Sequence, residues 1–204
     1  MLKLYHAPRS RSLRVLWLLE ELGVDYELEL IPFRKLLAGE HRTPDYLALH
    51  PLGEVPLLRD GELRLFESGA ICTWLSERHP EAGLTPSDGD ERARWLQWLF
   101  FAVATLEPPA WTRLRHRRML PPEKRNAATL LSATRRYKKA LAVLEEQLAD
   151  GREWLLGERF SAADILCVNT LLWARELLDE APSATAWCQR ARARPACRRA
   201  ERIR

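Results

Sequence analysis

No run of apolar residues in this 204-residue chain is long enough to cross a bilayer, which argues against a helical membrane protein. The opening also lacks the charged-then-apolar layout of a secretory signal, because Met1 leads directly into an alternating segment. The expectation is a cytoplasmic chain. Cysteine is scarce and scattered: Cys72, Cys167, Cys188 and Cys197 form no C-x-x-C pair. That usage disfavours a zinc site or a disulfide framework and suits reduced, buried thiols, so no metal is expected.

What is present fits a globular protein with a substantial core, since 47% of the residues are apolar and 29% charged. The net charge is only +4, yet Arg190, Arg192, Arg194, Arg198, Arg199, Arg202 and Arg204 crowd the C-terminus against one acid, Glu201. Ala191, Ala193, Pro195 and Ala196 interrupt this run and no aromatic residue is interleaved, so it reads as a solvated face rather than a nucleic-acid site.

Along the chain, Leu2 to Tyr5 reads as a buried strand. After Pro8 a helical stripe follows, through Leu13, Leu16, Trp17, Leu19 and Leu22, stopped by Gly23. Tyr26 to Pro32 alternates and gives a second strand, parallel to the first through a right-handed crossover. A short helical piece spans Pro44 to Leu49. Leu57 to Arg59 and Leu63 to Phe66 flank Asp60-Gly61, a hairpin signal, and a helix from about Ser68 to Arg78 ends before Pro80.

The order β-α-β-α-β-β-α is that of a thioredoxin-like α/β domain over residues 1–79. Residues 80–90 are rich in Pro, Gly, Ser and acids and read as a linker. Residues 91–204 carry only helical stripes, through Trp95 to Leu106, Leu130 to Leu148, Ile165 to Leu178 and around Trp187, and read as an all-α domain. Within it, Phe160-Ser161-Ala162-Ala163-Asp164-Ile165 has the form of a capping box with a hydrophobic staple, which gives Asp164 a structural role.

The first helix is charged against its dipole, with Arg9, Arg11 and Arg14 at the positive end and Glu20 and Glu21 at the negative end. Either the arginines bend into water, or the helix start concentrates positive potential where an anion sits. Ser10 and Ser12 lie in the same turn. Each can cap the helix or donate to a bound thiolate, the reactive form of a thiol whose ordinary pKa lies near 8.5.

Val55-Pro56 enters a strand as either a trans turn proline or a cis peptide. In the cis form the Val55 N–H and C=O face outward to pair with an extended ligand. Glu67-Ser68 precedes the third helix, so Ser68 reads as an N-cap and Glu67 as a turn acid. Together they also suit an amino-acid head group, the helix start with Ser68 taking a carboxylate and Glu67 an ammonium.

These pieces resemble the glutathione transferase family, and the plant phi class in particular. KLYHAPRSRSLRVLWLLEELG is similar to the family's first strand and helix, GEHRTPDYLALHPLGEVPLLRDGELRLFESGAIC to its glutathione-binding block, and RFSAADI to its C-domain capping motif. The resemblance implies that His41 and Arg42 meet the glycyl carboxylate, Glu54 and Val55 the cysteinyl stretch, and Glu67 with Ser68 the γ-glutamyl end, with Pro56 a cis-proline. Counted forward from Tyr5 the implied catalytic serine falls on Ser10, whereas counted back from Gly23 it falls on Arg9, because this turn is one residue shorter than the phi pattern; Ser10 is the implied catalytic serine and Ser12 the second candidate.

The chain departs from the family in having His50 where Asn is frequent and Glu54 where Lys or Gln is frequent; the acid would repel a carboxylate. No cysteine occupies the turn, which disfavours disulfide-exchange chemistry. The implied activity is conjugation of reduced glutathione, the co-substrate, to an apolar electrophile, with Phe101, Thr105 and Trp111 lining the second-substrate site and a homodimer as the assembly. Glutathione-dependent isomerisation, dehalogenation or peroxide reduction, and a non-catalytic regulator or scaffold, are the rival readings.

Overall fold

A computed structural model describes residues 1–203; Arg204, the last arginine of the basic run, lies outside the described residues. The chain forms two compact units. One comprises Met1–Ala82 together with the chain from Ala193 onward, the other Gly83–Arg192. No helix among the described residues is long and apolar enough to cross a membrane.

The first unit is built on a four-stranded sheet of order β2-β1-β3-β4, with β1 at Leu2–His6, β2 at Tyr26–Leu30, β3 at Leu57–Asp60 and β4 at Leu63–Phe66. β1 runs parallel to β2 and antiparallel to β3, and β3 and β4 form the Asp60-Gly61 hairpin. Tyr5 pairs with Leu57 and Leu57 with Phe66. The C-terminal end of β1, the approach to β3 and the exit from β4 therefore share one end of the sheet. His6, Val55-Pro56 and Glu67-Ser68 lie there through register alone.

Helix α1 (Ser12–Leu22) ends at Gly23, whose φ of 65° and N–H bond to the Leu19 carbonyl make the expected left-handed stop. Five consecutive residues, Val15 to Leu19, are buried, because α1 packs against β1, against α4 (Ser68–Arg78) and against the last helix, α10 (Pro195–Arg202). A helix apolar on every side needs partners on every side. Between β2 and β3 lie the short helices α2 (Phe33–Ala38) and α3 (Pro44–Leu49). Thr43 caps α3 by accepting the Tyr46 N–H.

The second unit is helical. Helix α5 (Gly89–Phe100) continues through a π-helical stretch, Phe101–Leu106, into α6 (Glu107–Leu114) and a second π-helical stretch, Arg115–Met119. Then come α7 (Ala127–Leu148), α8 (Ala162–Leu171), a 3-10 segment Leu172–Glu180 bent at Ala174, and α9 (Pro182–Ala193). The predicted stripe from Ile165 to Leu178 thus spans two segments. α8 is buried throughout and begins with the capping box: Ser161 Oγ accepts the Ala163 N–H at 3.3 Å, and Asp164 Oδ2 accepts the Ser161 N–H at 2.9 Å.

Asp164 does more than its motif requires. It also accepts the Leu155 N–H and the Trp187 Nε1–H, each at 3.0 Å, tying the preceding loop and α9 to the start of α8. Burial pushes its carboxyl up to about 6, against the pull of these donors.

Candidate glutathione site

The turn from β1 into α1 is held by hydroxyl groups. Arg9 takes a left-handed backbone at φ 62° and is exposed, and Arg11 stands at the N-cap without a side-chain cap bond. Ser10 Oγ lies 2.7 Å from the Ala7 carbonyl, to which it donates, and accepts the Ser12 N–H at 3.2 Å. Ser10 is half-buried; Ser12 is fully buried, with its Oγ accepting the Ala7 N–H at 3.0 Å and lying 2.7 Å from Ser10 Oγ and 2.8 Å from His6 Nδ1. Ser12 therefore presents no surface of its own, whereas Ser10 does. His6 is fully buried as well, and burial pushes its imidazole pKa down to about 4.

Beside this turn lies a cleft of about 540 Å³, whose walls include Leu13, Leu30, Pro32, Phe33 and Ile203, with His6, Arg9 and Glu201 among its polar residues. It is apolar on most sides and adjoins Ser10 in sequence on both flanks, through Arg9 and Leu13.

The residues predicted to meet glutathione gather at the same end of the sheet or in the loop leading to it. His41 Nε2 lies 2.7 Å from the Gly53 carbonyl, and Arg42 Nε donates to that oxygen at 3.2 Å. Gly53 has φ 57°, and a Cβ there would come within 2.8 Å of Arg42 Cγ and 2.9 Å of a Leu47 methyl, so only glycine fits. Tyr46, buried, donates its hydroxyl to the Glu54 carbonyl at 2.6 Å. The Glu54 side chain is exposed, Val55 and Pro56 are buried, and the Val55–Pro56 peptide is cis. His50 is buried, accepts the Leu52 N–H on Nδ1 at 3.2 Å and packs its ring 4.9 Å from that of Phe66.

At the β4–α4 junction the N-cap is Glu67, exposed and held at φ 73°, and Ser68 is the first helical residue. This corrects the reading of Ser68 as an N-cap. Its buried hydroxyl instead accepts from Nη1 of Arg14 at 3.0 Å, and Arg14 is itself fully buried. One of the three arginines at the positive end of α1 thus places its charge behind the first turn of α4.

Residues 1–77 match the family model for the glutathione S-transferase N-terminal domain, and residues 108–195 match the model for the C-terminal domain. Glutathione S-transferase 4 of Zea mays is 36% identical over 190 residues, covering 90% of this chain and 83% of its own length. The chain belongs to the glutathione S-transferase family. The disulfide-bond oxidoreductase YfcG of Escherichia coli is 35% identical, with 96% of this chain and 92% of YfcG covered.

Among solved structures, a glutathione transferase from Methylococcus capsulatus superposes with a TM-score of 0.85 at 31% identity, covering 99% of this chain and 98% of its own. The yeast prion protein Ure2p in complex with glutathione gives 0.87 at 25% identity, covering 98% and 93%. The thioredoxin-like first domain and helical second domain expected from the sequence are those of this family, and glutathione is the co-substrate.

In this transferase the residues assigned to an apolar substrate lie in the helical unit. Phe101 opens the first π-helical stretch, is half-buried and meets Trp98 edge-on at 5.2 Å; Thr105 is exposed; Trp111 is half-buried and lies 5.8 Å from Trp173. Phe101 and Thr105 stand in the π-helical stretch, whose turns are wider than the 3.6-residue period by which the stripe from Trp95 to Leu106 was read. Among the described residues no cluster of His, Cys, Asp or Glu could hold a metal ion.

Tyr46, Gly53 and His6 were given no role from sequence, and Arg14 was read only as one of three arginines at the positive end of α1. Gly53, in the tight Leu52-Gly53-Glu54 step, was the one with a visible signal.

Proposed function

We propose that this transferase conjugates the thiolate of reduced glutathione to a small apolar electrophile, with Ser10 donating a hydrogen bond to the sulfur. The observation that carries this reading is the unequal placement of the two serines. Ser10 is half-buried at the opening of α1 with a hydroxyl proton to give, whereas Ser12 is sealed beneath it. Lowering a thiol pKa by about two units needs about 2.7 kcal/mol. One charge-assisted hydrogen bond contributes roughly 1.5–3 kcal/mol, and the α1 terminus adds about 0.3–1 kcal/mol.

In this reading Val55 pairs its backbone with the cysteinyl residue, Ser68 and the start of α4 take the γ-glutamyl carboxylate with Arg14 behind them, and Glu67 takes the ammonium. His41 and Arg42 stand at the glycyl end, while the Glu54 side chain points no charge of the right sign at a carboxylate and contributes through its backbone. Phe101, Thr105 and Trp111 of the helical unit receive the electrophile. The working form is a cytoplasmic homodimer.

YfcG supports a second reading, glutathione-dependent disulfide exchange. The chain's own thiols do not favour it, since Cys72, Cys167, Cys188 and Cys197 are all buried and burial pushes Cys72 up to about 12. Retention on immobilised glutathione followed by conjugation of a general aryl halide separates the two. Ser10→Ala should cut kcat/KM by about 10- to 100-fold, the loss of one charge-assisted bond, and leave retention intact. A fully active Ser10→Ala enzyme, or disulfide reduction with no conjugation, would overturn the assignment.

A further inference from the structure

The hydroxyls around Ser10 have a direction. Among the described residues Ser12 Oγ has four polar neighbours: the Ala7 N–H, the Ala7 carbonyl at 3.1 Å, Ser10 Oγ and His6 Nδ1. A serine hydroxyl donates once and accepts twice. The Ala7 N–H fills one acceptor position. The second must be filled by His6 or by Ser10, and the two choices run the network in opposite senses.

His6 decides between them. Its imidazole is neutral at pH 7 and carries a single N–H. Nε2 is buried with no hydrogen-bond partner among the described residues. A proton on Nε2 would leave a buried donor unmet, which costs about 1–3 kcal/mol; with the proton on Nδ1, Nε2 is left only a bare lone pair, the less costly defect. So His6 Nδ1–H donates to Ser12 Oγ, and both acceptor positions of Ser12 are filled. Two acceptors are left for the Ser12 proton, the Ala7 carbonyl at 3.1 Å and Ser10 Oγ at 2.7 Å; two hydroxyl oxygens this close need a proton between them, and the Ser10 proton is on the Ala7 carbonyl, so the Ser12 proton goes to Ser10. Ser10 in turn accepts from both the Ser12 hydroxyl and the Ser12 N–H, so its own proton, now on the Ala7 carbonyl, is the only group of the network that a ligand can take.

We propose that His6 and Ser12 are positioning residues of the transferase, forming a one-way hydrogen-bonded chain, His6 Nδ1–H to Ser12 to Ser10, that polarises the Ser10 hydroxyl toward the glutathione sulfur. The chain rests on the assignment of Ser10 as the thiolate donor. Each donor along it draws electron density from the next hydroxyl, and a run of such bonds strengthens its last member. No proton is transferred: when the sulfur arrives, the Ser10 hydroxyl rotates from the Ala7 carbonyl to the thiolate and the two bonds behind it stay in place.

The test is the pKa of the bound glutathione thiol, read from the ultraviolet absorbance of the thiolate across pH in the full-length enzyme and in Ser10→Ala, Ser12→Ala, His6→Leu and His6→Asn. S-methylglutathione, which has no thiol to ionise, reports the cradle alone. Ser12→Ala and His6→Leu should each raise the thiol pKa by roughly half to one unit while binding S-methylglutathione within about twofold of wild type; His6→Asn, which returns an N–H to the Nδ1 position, should restore most of the shift. If Ser12→Ala does not fold, the two His6 variants decide.

An unchanged thiol pKa in Ser12→Ala and His6→Leu, with a raised one in Ser10→Ala, would overturn the chain and leave Ser10 standing. A parallel loss of S-methylglutathione affinity would show the two residues only brace the turn, and overturns it too. A thiol that ionises no more readily on the enzyme than in water, or identically in Ser10→Ala, would remove the assignment of Ser10 and the chain with it.

Discussion

His6 shows how much one buried side chain can set. Its pKa falls from the ordinary 6.5 to about 4 because burial disfavours the charged ring. The folded protein binds fewer protons there than the unfolded chain between those values, so stability gained from the neutral ring is full above pH 6.5 and is lost as pH falls toward 4. The whole shift corresponds to roughly 3 kcal/mol. Arg9 and Glu201 line the same cleft, and Asp164 titrates over an overlapping range in the opposite sense, so wild type is best compared with His6→Asn. The stability difference between the two, from urea unfolding, should shift against wild type as pH drops from 7.5 to 5; a pH-independent difference would contradict the buried neutral ring.

The sequence reading marked both Ser10 and Ser12 but had no means of ranking them by exposure. Ranking required the turn's backbone, with Arg9 in the left-handed region. His6 carried no signal, because alternation along β1 predicts which face a residue takes and not that its ring meets a serine six residues on.

At the level of elements, the reversed charge on α1 has a resolution at each end. At its C-terminal end Glu21 is held by a two-pronged bond from Arg194, Nε at 2.7 Å and Nη2 at 2.8 Å, and also accepts from Trp17 Nε1 at 2.9 Å. Glu20 accepts from Arg199 Nε and from the Tyr26 hydroxyl at 2.6 Å; burial works against its ionisation, but those bonds carry its pKa below the usual carboxylate value. Arg190 donates to the Glu153 carbonyl and lies over the Trp154 ring. Two arginines of the basic run, Arg194 and Arg199, thus hold the α10 segment to α1 rather than facing water alone, and Ala196, Cys197 and Ala200 bury the face between the charges of α10.

Arg194→Ala should lower unfolding free energy by roughly 1–3 kcal/mol, since it leaves a nearly buried carboxylate with fewer partners, whereas Arg199→Ala, on a more exposed pair, should cost about 0–1 kcal/mol. Equal effects in chemical denaturation would contradict this ranking. Periodicity found α1, the Asp60-Gly61 hairpin and the capping box of α8, because each is written locally. α10 was not picked out as a packed helix of its own, since Arg198, Arg199 and Arg202 obscure an apolar face of only three small residues.

For the whole molecule, the most legible feature was the order of elements in the first eighty residues, which fixes one end of the sheet as the meeting place of His6, Val55-Pro56 and Glu67-Ser68. Less legible were contacts made across the chain, such as Arg14 with Ser68 and Tyr46 with Glu54, because they pair residues whose separation carries no pattern. The π-helical stretches were invisible for a related reason: a helix period read at 3.6 residues cannot anticipate where the register widens.

Titration calorimetry with reduced glutathione tests the central claim most directly. The full-length protein should give a saturable heat at micromolar to millimolar ligand, weakened by at least about tenfold when Ser68→Ala and Glu67→Ala are combined, as expected for the loss of two polar contacts to the γ-glutamyl group. No saturable heat at millimolar glutathione, or an affinity indifferent to that double substitution, would contradict the site.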